Sequence, residues 1–408
     1  MKNQISYFIA QRLKNHNGSQ FSVAVYRIAV GSVALGLAAM LLSFMIFEGF
    51  RQQIQEKIFT FSGHIQVGRY DGSNAYESSP IAKQRKVVEK IRQLPQVEYL
   101  QMFSQKAALL KKDTEVMGVM LKGVEQDFDT LRFNQNLQEG RFLHFPDSLH
   151  SADLIVSQYI ARKLDLHLHD SLVVVFIQEP PRFRKMHICG IYNTGIEDFD
   201  HQLVLADLRL LQKVNNWADS LTAGYEIRLK DFELLQKPFL EDFLDVLDYD
   251  MWVETALTKY THFFDWFVML SRNVMVFLVV ILFVACFNSV SILLILIMER
   301  TQMIGILKAL GASNRLIKRT FFFHGLQIVG RGMAWGNGLA LLLGGLQSKF
   351  KIIPLTPENY YMDTVPVAWE LSNFIFCNLL IFTLIALSLL IPIYIISRIT
   401  PMSAIRFD

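Results

Sequence analysis

Apolar residues are concentrated in four long runs. The first covers Phe21–Phe47, and three more crowd the last third at Phe263–Met298, Phe321–Leu346 and Leu371–Ile396. Each reaches or exceeds the roughly 20 residues needed to cross a bilayer core. Between the first two runs lies a stretch of ordinary globular composition. At about 210 residues it is ample for a packed core of its own. The pattern predicts a membrane protein with four transmembrane α-helices and a large α+β extracytoplasmic domain between helices 1 and 2.

Within the globular stretch the period alternates. HIQVGRY, AALLKK, EVMGVMLKGV, DLIVS, DSLVVVF, HICGIY and TAGYEIRLK read as strands. The segments around Val87, Val88 and Ile91, then SQYIARKLDL, LADLRLLQKV and KPFLEDFLDVL, read as helices. The mixture implies two lobes. The expected boundaries are an interfacial helix at 1–21, spans at 22–49 and 263–299, and the domain at 50–262. A short elbow at 300–319 follows, then spans at 320–346 and 371–397, a loop at 347–370 and a tail at 398–408. Residues 4–14 alternate apolar and basic character, which suits a helix lying on a membrane face; a plain extension of span one is the other reading. The second run is about 36 residues, roughly 54 Å as a helix, so it must project beyond the bilayer.

Charge orients this plan. Lys2, Arg12, Lys14 and Arg27 surround the start of span one. Arg300, Lys308, Arg315, Lys318 and Arg319 fall between spans two and three, and Arg398 and Arg406 follow span four. Basic residues mark the cytoplasmic side, so both termini and the elbow are expected inside and the large domain outside. The first run is too long for a cleaved signal and lacks a small-residue cleavage site.

A net charge of +3 with no basic run gives nucleic acid no electrostatic footprint. Of three cysteines, Cys286 and Cys377 fall in expected spans and Cys189 stands alone in the domain, which therefore has no internal disulfide. No G-x-x-x-x-G-K-[ST], G-x-S-x-G or H-E-x-x-H pattern occurs. His167 and His169 would share a strand face, but a metal site needs more ligands, and none is expected. Asp198 and Asp200 read as loop caps rather than a catalytic pair, and no catalytic residues are assigned.

Two stretches carry more specific chemistry. In MERTQMIGILKALGASNRLIKRTFFFHG, Ile304, Leu307 and Leu310 share a helical face with Lys308 opposite. Gly311 can supply the left-handed turn that ends this helix, and Ser313 can cap a second one starting at Asn314 and Arg315. Such an elbow suits docking into a groove of another protein, or it is a plain basic connector. In the third run, Gly332 and Gly336 form a G-x-x-x-G pair that lets helices approach closely. Arg331, one residue earlier, either lies near the cytoplasmic surface, the favoured reading, or pairs with another group, since an unpaired charge at mid-membrane is costly.

The segment ER-x-x-x-IGILKALGAS resembles the signature of FtsX/MacB-type permeases of ABC transporters. YFIAQRL, ARKLDLHLHDSL, GIYNTGIEDFDHQLVLADLRLL, IIPLTPENYYMDTVPV and SRITPMSAIRFD resemble the lipoprotein-releasing (Lol) subgroup, so the likeness extends along the whole chain. It implies a multi-pass protein of the inner membrane of a Gram-negative bacterium, with a MacB-like periplasmic domain. The elbow, Glu299, Arg300, Leu307, Lys308, Leu310, Gly311, Ala312, Ser313, Asn314 and Arg315, would then be the coupling helix that docks on a separate ATPase. The implied assembly has two ATPase copies and a second permease subunit, identical or paralogous. The ATPase binds ATP and Mg²⁺, and this chain has no cofactor and no catalysis of its own.

The implied cargo is an acylated lipoprotein. Met40, Phe44, Met45 and Phe47 of span one and Phe263, Phe264 and Phe267 of span two are the expected acyl contacts, because Met and Phe make an adaptable apolar lining. Trp369, in the loop before span four, is expected to lie apart from them. By the resemblance, Pro180, Pro181 and Phe183 would form a shortened version of the hook with which some relatives engage a periplasmic carrier; an ordinary two-strand connection is the other reading. Met303 stands where many family members have an acidic residue. Efflux by a MacB-like mechanotransmitter and control of a cell-wall hydrolase by an FtsX-like subunit are the alternative activities.

Overall fold

The computed structural model describes residues 20–69, 79–146, 150–235, 237–356 and 360–395. The interfacial helix expected at 1–21, all but its last two residues, and the tail at 398–408 lie outside them. The chain divides into two compact units. One takes Met1–Gln52, Phe267–Pro354 and Thr364–Asp408; the other takes Gln53–Trp266 and Leu355–Asp363.

The first unit is helical. It draws on helices Gln20–Ser62 (43 residues), Thr261–Glu299 (39 residues), Asn314–Phe350 (37 residues) and Leu371–Ser388, the last followed after Leu389 by a short helix Leu390–Ile395. Among the described residues three segments are long and apolar enough to cross a membrane: Val23–Ser62, Thr261–Glu299 and Leu371–Tyr394. Asn314–Phe350, which holds the expected third span, has the length but not the apolarity. Arg331, Asn337, His324 and its many glycines dilute it.

Backbone proximity holds this unit together. A Cβ on Gly332 would sit 2.6 Å from the Val33 side chain, and one on Gly336 would sit 2.7 Å from the Ala34 carbonyl oxygen. The glycine pair is therefore the surface on which the first long helix lies. Val33, Leu37 and Leu41 continue the contact into a core shared with Leu278, Ala285 and Ile381. Polar groups inside it are paired. Asn337 and Asn378 exchange amide hydrogen bonds at 2.8 and 3.0 Å. Arg331, whose surroundings the sequence left open, donates to the Tyr26 hydroxyl and lies over the Tyr26 ring.

The second unit is built on one ten-stranded mixed sheet. Its strands are β1 (Ile65–Arg69), β3 (Val97–Lys112), β4 (Glu115–Val124), β5 (Leu137–Gly140), β6 (Asp153–Ser157), β7 (Ser171–Phe176), β8 (Arg182–Tyr192), β9 (Leu203–Asp207), β11 (Gly224–Leu229) and β12 (Met251–Thr255). The order is β12-β1-β11-β3-β4-β9-β6-β8-β5, with β7 bridging β3 and β8. β2 (Ile81–Ala82) and β10 (Leu221–Thr222) make a separate small ladder. Helices cover two cores. One gathers Leu110, Leu121, Val174 and Leu211, the other Ile91, Leu100, Tyr225 and Phe243. The expected strand edge at His167 and His169 is instead a tight turn. His169 takes a φ of 72°, and the Asp170 carboxylate accepts the His167 N–H at 3.0 Å.

The first long helix was expected to end near residue 49, where charges begin. It continues to Ser62, because those charges find partners inside the globular unit. Arg228 and Arg132 pair with Glu56 at 2.5 and 3.1 Å. Lys122 Nζ donates to the Phe61 carbonyl, where a cation favourably meets the negative end of the helix dipole. The same Lys122 lies 2.6 and 2.7 Å from the two Glu226 oxygens, and both side chains are 0% exposed. Gln66 and Gln101 donate to the same carboxylate at 2.8 and 2.7 Å. Removing a charge pair from water is costly unless every remaining lone pair is used; here Glu226 receives donors on both oxygens.

Candidate functional site

The elbow forms from local rules. Helix Thr301–Ala309 ends as Gly311 takes a φ of 87°, a conformation open to glycine and strained for other residues. A Cβ at Gly311 would have nothing within 4 Å, so the constraint there is the backbone alone. The Ser313 hydroxyl then accepts the Leu316 N–H at 3.3 Å and caps the next helix. That helix runs unbroken from Asn314 to Phe350, so the second arm of the elbow is the start of the third long helix and not the separate segment expected to end at 319.

The apolar face of the elbow is divided. Ile304 is buried and Leu307 half-buried, anchoring the helix on the bundle. Leu310 is 80% exposed and Ile306 57% exposed. Leu310 was expected on one face with Ile304 and Leu307; Gly311 ends the helix beside it and leaves it exposed at the tip. The sequence reading missed Ile306, although its i, i+4 spacing to Leu310 signals a shared face. Lys308, Ala312 and Arg300 are half-buried, and Glu299, Ser313, Asn314 and Arg315 are exposed.

The expected acyl contacts separate. Phe44 and Met45 line a cavity of about 350 Å³ with Leu41, Leu341, Trp369 and Phe374. Met40 is 2% exposed and Phe267 5% exposed, so both are core residues here and not an open surface. Phe263, also 5% exposed, packs edge-on to Tyr361, and Phe264 stacks on Phe232 at 5.6 Å. They pack inside the globular unit because the second long helix starts there. Phe47 is half-buried and does not line the cavity. Trp369, expected apart from this group, forms part of the cavity wall with Phe44. The reason is backbone pairing, since the Ala368 N–H donates to the Met45 carbonyl at 2.9 Å.

One end of the cavity is polar, at Glu48, Glu370 and Asn373. Glu48 accepts from Arg51 at 2.6 Å and from Gln52 at 3.1 Å. Glu370 accepts from Gln52 at 2.6 Å and from Asn373 at 2.7 Å. Its donors are neutral amides, and no cation among the described residues pairs with it.

Pro180, Pro181 and Phe183 lie on the β7–β8 hairpin, all exposed, with Phe183 at 60%. Arg182 anchors the hairpin through the Lys213 and Val214 carbonyls at 2.8 and 2.9 Å.

A further cluster escaped the sequence reading. Lys57 donates to the carbonyls of Thr194 and Tyr361, the latter at 2.6 Å. Asp200 accepts from Thr194 N–H, Thr194 hydroxyl and Gly195 N–H at 3.0, 2.8 and 2.8 Å. Burial pushes the Asp200 carboxyl up and the Lys57 ammonium down, each partly offset by the opposite charge of the other. The two motifs GIYNTGIEDFDHQ and YYMDTVPV meet at this lysine. Among the described residues no group of His, Cys, Asp and Glu could hold a metal ion.

A helical unit with membrane-length apolar helices, joined in sequence to a large inserted α/β sheet domain, defines a membrane permease with an extramembrane domain. The model of the MacB-like periplasmic core domain matches residues 28–236, and that of the FtsX-like permease C-terminal region matches 275–401. The chain belongs to the FtsX-like permeases that carry a MacB-like periplasmic core domain. Among its relatives is the lipoprotein-releasing system transmembrane protein LolE of Haemophilus influenzae, 25% identical with 96% of each chain covered. The LolC proteins of Xylella fastidiosa and Neisseria meningitidis serogroup B are 22% and 21% identical, with 97% of each chain covered.

Proposed function

We propose that the chain is the membrane subunit of an ABC transporter that extracts acylated lipoproteins from the outer leaflet of the inner membrane and passes them to a periplasmic carrier. The names of the whole-length relatives support the cargo. The elbow supports the energy source: a capped, glycine-terminated turn presents Ile306 and Leu310 to solvent, an apolar tip on a firm base. In this reading the tip seats in a groove of a separate ATPase, which binds ATP and Mg²⁺, and this chain catalyses nothing. Asn314–Phe350 is the third of four crossings. Its Arg331 lies near the cytoplasmic surface beside Tyr26, six residues after the first described helix begins at Gln20. The β7–β8 hairpin is the surface offered to the carrier, and a second permease subunit completes the assembly.

The test is Gly311→Val in the complete transporter. A β-branched residue at this φ costs roughly 1–3 kcal/mol of backbone strain, and nothing nearby is displaced. Insertion and folding should persist, while ATPase co-purification and lipoprotein release fall about tenfold. Unchanged co-purification and release would remove the docking assignment. Release of soluble peptides instead of lipoproteins would favour efflux.

A further inference from the structure

The 350 Å³ cavity lies at the lower end of the roughly 300–1,000 Å³ range typical of small-molecule sites. Its walls are Leu41, Phe44, Met45, Leu341, Trp369 and Phe374, and its polar groups cluster at one end. That is the layout of an amphiphile: a chain inside and a head at the mouth. The charges at the mouth do not balance. Glu48 is neutralised by Arg51 at 2.6 Å. Glu370 is held in place by the amides of Gln52 and Asn373 and has no cationic partner among the described residues. Trp369, with an apolar ring and one N–H donor, is the residue type that sits at a bilayer interface.

We propose that this cavity binds one acyl chain of a phospholipid whose head group carries a primary ammonium, with that ammonium against Glu370. An anionic lipid would bring a second negative charge to Glu370. A fully acylated lipoprotein terminus is an amide and brings no positive one. The inference rests on the membrane reading above. It separates a resident lipid, next to the first long helix, from the transported cargo.

The experiment uses the complete transporter in phosphatidylcholine nanodiscs doped with chain-brominated phosphatidylethanolamine or phosphatidylglycerol, whose bromines quench tryptophan. Subtracting the signal of Trp369→Phe isolates Trp369 from the other four tryptophans of the chain. Quenching of Trp369 should saturate at a low fraction of the ethanolamine lipid. That lipid should be preferred about threefold over the glycerol lipid, the ratio one exposed ion pair supports. Glu370→Gln should bring the ratio to about one without changing the saturation, since the chain site is intact. Quenching that rises linearly and equally for both lipids would mean Trp369 simply faces the bilayer, and the proposal falls. No Trp369 quenching by either lipid would mean protein covers the cavity, with a second permease subunit the first suspect, and the proposal falls equally. Lipoprotein release is measured in the same discs. A head-group preference without release sinks the transport reading and leaves the lipid site; release without the preference does the reverse.

Discussion

The two units of this protein solve the same problem, fixing helices in place, with opposite chemistry. In the globular unit the end of the first long helix is fixed by charge: Lys122 and Glu226 form a fully buried pair beside its last turn, and Arg228 and Arg132 hold Glu56 through short bonds nearer the surface. In the helical unit the same helix is fixed by the absence of side chain, where Gly332 and Gly336 let Val33 and Ala34 come into backbone contact. Charge works where a sheet can supply enough donors around one carboxylate. Inside an apolar bundle those donors are scarce, and close packing by small residues carries the contact. The contrast predicts that the globular end fails when a partner is left alone, and the helical end fails when volume is added.

The largest effect should come from Lys122→Met. It leaves the Glu226 carboxylate buried with only Gln66 and Gln101, and breaking such a pair costs about 3–5 kcal/mol. Urea unfolding of the detergent-solubilised chain should show the loss, and Lys122→Met with Glu226→Gln should recover part of it. If the double variant is as unstable as the single one, unpaired charge is not the cause and the contrast between the units weakens.

Next in size is Gly336→Leu. A Cβ there already meets the Ala34 carbonyl oxygen at 2.7 Å, so the helices must part, at a cost of roughly 1–3 kcal/mol. Gly338→Leu, two residues and about half a turn away with nothing within 4 Å of its Cβ, is the control and should be close to neutral. Equal damage from both would show that the third long helix objects to bulk in general and not at this contact.

The smallest effect is a pH dependence confined to the globular unit. Burial, reinforced by Arg228 and Arg132, holds the His64 imidazole down to about 3. Its Nδ1 accepts the Leu229 N–H at 3.0 Å, which needs the neutral ring. Below the ordinary value of 6.5 the unfolded chain takes up a proton that the folded chain refuses. The stabilisation is therefore complete above pH 6.5 and declines as pH falls toward 3. Between pH 6.5 and 5 the loss is about 2 kcal/mol. His64→Asn, which can still accept the Leu229 N–H, should flatten the dependence of the urea midpoint over that interval. An unchanged slope would place the pH sensitivity elsewhere.

Much of this architecture could be read from pattern. The strands and helices of the globular stretch follow their periods, and Ser313 and Gly311 announce the elbow. The acyl contacts could not be sorted the same way. Phe44 and Met45 line the cavity, whereas Met40 and Phe267 are core, and all four are apolar residues on apolar helices. Which face of a long apolar helix is covered depends on partners far away in sequence. Trp369 was misplaced for a related reason: a backbone hydrogen bond to Met45 carries no sequence signature. Lys122 and Glu226 lie 104 positions apart, and only strand order brings them together. The charges beyond residue 49 read as the polar end of a span, because a single sequence weighs charge as solvent exposure and cannot see partners such as those of Glu56 and Lys57.

Lys57 also sets what can be exchanged between relatives. Its ammonium joins the Thr194 carbonyl on one segment to the Tyr361 carbonyl on another, and Gly195 lies so close to Tyr361 that a Cβ there would be 3.1 Å from its backbone. Three stretches that are distant in the gene thus form one heritable block. A chimera that swaps 355–363 alone keeps the clasp only if the new loop follows the same backbone path, since Lys57 bonds main-chain carbonyls. One that carries 57, 193–200 and 355–363 together keeps both sides of the clasp.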